Sequence, residues 1–153
     1  MPLKTKHRGP APQQTNTATN DILDEVLDYF RANVLFRNFP IEGPADRTLI
    51  YLTLFVSKLL VALDRVTSKS EAEKKARDIA QETFLVPGDA GFVLGGLIPS
   101  GSPAERDLWK SYMAQCRMEL VDRLMQRAFT DQGPNKWWLC FNKRKFLGMT
   151  LTK

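Results

Sequence analysis

The chain has 153 residues, enough for one domain that buries roughly 70% of the surface its unfolded form exposes, so it needs no covalent staple to hold a core. Apolar residues make up 43% and charged residues 25%, the balance of an ordinary globular protein; the formal charge of +5 favours an acidic partner without choosing among nucleic acid, an acidic protein surface and anionic lipid. The most apolar window, residues 49–63, is too short to span a bilayer and carries Lys58 in its interior, which excludes membrane insertion by that segment.

Residues 1–19, MPLKTKHRGPAPQQTNTAT, are basic and contain no acid. Pro2, Pro10 and Pro12 oppose the amphipathic helix of a mitochondrial presequence, and the expectation is an extended basic arm that orders only against another surface. Residues 20–153 are then a single helical domain. Its first helix is expected to begin near Asn20, with Asp21, Asp24, Glu25 and Asp28 read as a solvated face that complements the helix dipole. Ile22, Val26, Tyr29 or Phe30, and Asn33 or Val34 follow at helical spacing.

Pro40 and Gly43-Pro44 break the chain, and Pro44 suits the first position of a second helix with Asp46 in its first turn. Leu49, Ile50, Leu52, Leu54, Phe55, Val56, Leu59, Leu60, Val61 and Leu63 run around the whole circumference of that helix, which marks it as a central apolar helix surrounded by the others. A third helix should start at Ser70, where SEAE (70–73) reads as a capping box, and lie on the outside of the domain. Residues 84–103 hold five glycines and three prolines and read as a structured loop with room for one short hairpin; their spacing matches no phosphate-binding fingerprint. A fourth helix opens at SPAE (102–105) and runs to about Phe129. Leu108, Trp109, Tyr112, Met113, Cys116, Leu120, Leu124, Met125 and Phe129 form its apolar face, and Arg106, Lys110, Arg117, Arg123 and Arg127 line much of the rest. No strand pair stands out, so the expected fold class is all-α.

Little catalytic chemistry is available. His7 is the one histidine and falls in the arm, so an ordered imidazole for a Ser-His-Asp or Cys-His site is lacking. Cys116, Cys140 and His7 are too scattered for a zinc site, and both cysteines read as free buried thiols in a reducing compartment. The expectation is a binding surface: no enzyme, no catalytic or metal-ligating residue, no cofactor and no small-molecule substrate.

The candidate surface is the basic-aromatic C-terminal segment, residues 135–153, which opens with NKWWLCFNKRKF. Asn135 can cap a short turn carrying the tryptophans, and Trp137 and Phe141, four apart, would share a side of it and clamp the terminus to the body. Lys143, Arg144 and Lys145 cannot be core. Lys136, Trp137, Trp138, Lys143, Arg144 and Lys145 are the partner-contact candidates, since Trp and Arg are enriched in interface hot spots. The alternative is a basic helical nucleic-acid-binding protein that stacks bases on Trp137 and Trp138. Against it, acids are spread through the first and third helices, and no long basic stripe faces one way.

GPAP (9–12), DILDEVLDYFRANVLFRNF (21–39), ADRTLIYLTLFVSKLL (45–60), FLVPGDAGFVL (84–94) and KWWLCFNKRKF (136–146) resemble, in register, the third-subunit family of the actin-related protein 2/3 complex. ADRTLIY and KWW-x-CF-x-KR-x-F are the most specific pieces. The resemblance implies a non-catalytic, compact helical subunit of a seven-subunit assembly that binds an actin filament and nucleates a branch. It further implies packing on the larger actin-related subunit, help in engaging the mother filament, ATP held only by the actin-related subunits, and a place in the cytoplasm and the actin cytoskeleton. Actin and its relatives are acidic, which supplies a partner for Lys143, Arg144 and Lys145. Relative to that family the chain is expected to have a shortened N-terminus, since it begins almost at GPAP, and a glycine-richer 84–103 loop, with Gly95 and Gly96 together.

Overall fold

Asp21 opens the first helix, α1 (Ile22–Asn33), with a reciprocal capping box: its carboxylate accepts the N–H groups of Leu23 and Asp24, and the Asp24 carboxylate accepts that of Asp21. The computed structural model describes residues 1–35 and 40–152; the last positions of the 21–39 stretch and Lys153 lie outside them. Leu23, Val26, Leu27 and Phe30 are buried along one side of α1, while Tyr29 is exposed.

Pro44 begins α2 (Pro44–Ala62), and the Asp46 carboxylate accepts the N–H groups of Glu42 and Gly43. Ten of its residues are buried, among them Tyr51 and Thr53, whose hydroxyl donates to the Leu49 carbonyl. Val61, expected inside, is exposed. The helix packs on α1, on α3 (Lys69–Gln81) and on α4 (Pro103–Ala128), and α4 in turn packs on α1, α2 and α3, so two helices share the core.

Helix α3 starts earlier than expected. Ser68 is its cap position and Ser70 already lies within it, with the two hydroxyls 3.0 Å apart, so the Ser70–Glu73 box does not form. Ala72, Ala76 and Ala80 are buried, and such small side chains let α3 approach α4 closely.

At α4 the expected capping box forms: the Ser102 hydroxyl accepts the N–H of Glu105, and the Glu105 carboxylate accepts that of Ser102. Arg117, however, is fully buried instead of lining the surface, and Leu108 is exposed. Its guanidinium lies between the rings of Phe55 and Phe84, 4.6 and 4.3 Å from their centroids, and donates to the Tyr51 hydroxyl and the Ile79 carbonyl. A buried cation is tolerable there because two hydrogen bonds and two ring faces replace water.

After α4 the chain turns through a two-residue antiparallel ladder, β1 (Phe129–Thr130) with β2 (Gly133–Pro134), into the short helix α5 (Lys136–Leu139). The fold is therefore mostly helical; the expectation of a strictly all-α chain missed this ladder, which is too short to leave an alternating pattern. The 84–103 loop forms turns and no hairpin. It is held by Arg106, which pairs with Asp89 and donates to the Pro87 carbonyl, and by Phe92, whose ring meets Trp109 edge-on.

Residues 1–19 lie along α4 of their own chain. Leu3 is fully buried, and its backbone bonds to Pro12 and Gln14. The Gln115 amide accepts from the Ala11 N–H and donates to the His7 carbonyl. Gly9 passes so close that an added Cβ would sit 2.4 Å from Gln115 Oε1.

Candidate docking site

Asn135 sets the entry to the C-terminal segment. Its N–H donates to the Ala128 carbonyl, its side-chain amide donates to the Arg127 carbonyl, and its side-chain oxygen accepts the N–H of Trp137. One residue thus closes the turn after α4 and caps α5, as the sequence led us to expect. The cap also fixes the phase of α5, and hence which tryptophan turns inward.

Trp138 turns inward. It is buried, stacked on Phe30 of α1 at a ring separation of 5.8 Å, with the Arg31 guanidinium 5.7 Å from its ring. Phe141 meets the edge of Phe30 at 6.5 Å. The clamp therefore pairs Trp138 with Phe141, and the expected Trp137–Phe141 pair does not form. Trp137 is 65% exposed, and Lys136 is exposed beside it.

Beyond Phe141 the chain is pinned a second time. Phe146 and Leu151 are buried, and the Lys58 ammonium, paired with Glu82, donates to the Thr152 carbonyl. Lys143, Arg144 and Lys145 sit between the two anchors, exposed, and none forms an ion pair among the described residues. With Val34, Leu35 and Leu147 they line an open depression of about 470 Å³. Leu35 is 58% exposed and gives the cationic rim an apolar contact point, which the sequence reading missed because its helix ends two residues earlier. The site can receive an acidic surface that carries an apolar side chain.

Strong electrostatics lie where the N-terminal arm meets α1 and α4. Arg123 donates to both Asp21 oxygens, at 2.6 and 2.8 Å, and to the Lys4 carbonyl. Burial pushes the Asp21 carboxyl up, but hydrogen bonds from Arg123, Lys4 and Asp24 and the charge of Arg123 outweigh it and hold Asp21 at about 2. Asp21 is thus no part of a solvated face. His7, expected in an unanchored arm, is also engaged: its Nε2 is 2.7 Å from Asp122 and 3.8 Å from Glu119. Those three side chains could in principle hold a metal. Glu119 is, however, already bonded by Thr5 and Arg123, and Asp122 by Arg77, so the cluster reads as an ion-pair network that fastens the arm. Cys116 is buried and its thiol is pushed up to about 12 by that burial, whereas Cys140 is exposed, contrary to the expectation that both are buried.

The family described as P21-Arc, the ARP2/3 complex ARPC3 (21 kDa) subunit, matches residues 1–151. The chain is 47% identical to actin-related protein 2/3 complex subunit 3 of Dictyostelium discoideum, over 99% of this chain and 87% of that protein. The proteins of the same name in Schizosaccharomyces pombe and Arabidopsis thaliana are 44% and 41% identical to it over the same shares.

Proposed function

We infer the role of this chain from a premise those matches establish: it belongs to the ARP2/3 complex ARPC3 (21 kDa) subunit family. It is a structural subunit of that complex, tied to actin nucleation and the cytoskeleton, and not an enzyme. The finer role we assign is to pack on the larger actin-related subunit in the cytoplasm, to help the complex engage the mother filament, and so to support branching.

The observation that carries this reading is the doubly anchored C-terminal loop. Trp138 and Phe146, both buried, hold Lys143, Arg144 and Lys145 out from the body beside exposed Leu35 and, one turn back, exposed Trp137. Preformed charge costs little ordering on docking, which favours contact with an acidic protein. Lys136, Trp137, Lys143, Arg144 and Lys145 are the proposed contacts, with Trp138 as their support. The test is the triple charge reversal of Lys143, Arg144 and Lys145 to Glu in the reconstituted complex, scored by branches per filament length. Reduced branching with an unchanged circular dichroism spectrum is expected; unchanged branching would remove those residues from the contact.

A further inference from the structure

We propose that the cavity between the start of α2, the 84–103 loop and the start of α4 is a second docking pocket, and that it takes an acidic side chain from a neighbouring subunit. The proposal rests on the assembly reading above. The ADRTLIY segment places Arg47 on the wall of this cavity, which measures about 370 Å³. Pro44, Pro87, Pro99 and Trp109 supply apolar walls.

Two of the three charged side chains that line the cavity are hydrogen-bonded within the chain. Glu105 is engaged by the Ser102 N–H at the head of α4. Arg106 is engaged by Asp89 and by the Pro87 carbonyl. Arg47 makes no hydrogen bond or ion pair among the described residues, and its Nε is buried without a partner. The Nε of Arg117 is also unpartnered, but the rest of that guanidinium is bonded and sandwiched between rings. Among the charged residues that line this cavity, Arg47 alone is half-buried and without a partner. A half-buried guanidinium is satisfied best by a carboxylate, which can accept two of its N–H groups at once.

The pocket is also built to keep its shape. Gly88 and Gly101 both have positive φ, and an added Cβ would lie 2.8 Å from Ser100 Cβ at the first and 2.8 Å from Glu105 Oε2 at the second. A side chain would be strained at either position, one on the cavity wall and the other beside it. One free arginine among prolines and a tryptophan suits a single carboxylate on a peptide with an apolar neighbour. A phosphate or nucleic-acid backbone calls for several convergent cations, which this cavity lacks.

The test uses the whole complex, reconstituted with this chain as wild type, R47Q, R47E and R47K, and measures the Kd for adding the chain to the remaining subunits. R47Q should weaken addition by about tenfold or more, R47E further, and R47K should fall between wild type and R47Q. The melting temperature of each isolated chain should stay at the wild-type value, since Arg47 makes no internal bond. In a separate wild-type-Arg47 chain, a photo-crosslinking residue at Ser100 should capture a partner segment containing Asp or Glu. Equal Kd values for wild type, R47Q and R47E, or capture of a segment without an acid, would overturn the pocket while leaving the assembly reading intact. Failure of the wild-type chain to join the complex would overturn both.

Discussion

Asp21→Asn tests the network that seats α1, and through Phe30 the whole C-terminal site. Asn is as good a helix cap as Asp, so the substitution keeps the cap through Oδ1, removes the charge and replaces the oxygen that accepts from Lys4 and Arg123 with an amide NH2. The Asp21 side chain has no exposed surface, so its interaction with Arg123 is little screened. A free aspartate titrates near 3.8, and Asp21 is held at about 2. That difference corresponds to about 2.5 kcal/mol of folding stability at pH 7. Because the folded value is the lower one, the stabilisation is complete above the unfolded value and is lost as pH falls through the folded one. About half should remain at pH 3. Arg123 keeps Glu119 and Asp24 at 3.0 and 3.1 Å, which offsets part of the loss. Urea denaturation followed by circular dichroism should therefore place Asp21→Asn about 2 kcal/mol below wild type at pH 7 and about 1 kcal/mol below it at pH 3. Equal stability at pH 7, or a gap that does not narrow between the two pH values, would refute the reasoning.

Trp138→Ala should cost about 3 kcal/mol in the same denaturation assay, because a buried ring leaves a cavity beside Phe30. Trp137→Ala should change stability by less than about 0.5 kcal/mol, yet weaken incorporation into the complex in a co-purification assay. Gly9→Ala forces a methyl group into Gln115 and should destabilise by about 1–3 kcal/mol, with faster hydrogen exchange at the Ala11 amide as the local signature. Iodoacetamide at pH 7 should alkylate Cys140 and leave Cys116 untouched until denaturant is added, read by peptide mass.

The helix starts at Pro44, Ser102 and Asn135 were legible because each depends on residues within a few positions of one another. The fates of Asp21 and Arg117 were not. A charge on a helix is read as solvated until its partner is known, and those partners lie 102 positions away for Asp21 and 66 and 38 away for Arg117. The C-terminal segment was legible as an anchor carrying charges, but its orientation was not. Spacing alone predicts Trp137 and Phe141 on one side of a continuous helix, whereas α5 ends at Leu139 and its phase, set by Asn135 and the preceding ladder, brings Trp138 and Phe141 onto Phe30. Arg47 left no sequence signal beyond membership of ADRTLIY, since an unpaired guanidinium is recognised only after every possible partner has been placed.

The most direct test of the account is capture of the tagged chain from cell extract under gentle conditions, followed by native mass spectrometry of the intact assembly. The account predicts one copy of this chain in a particle with both actin-related proteins and the other subunits of the complex. Recovery of the chain alone, with the same extract yielding an intact complex through a different tagged subunit, would contradict it.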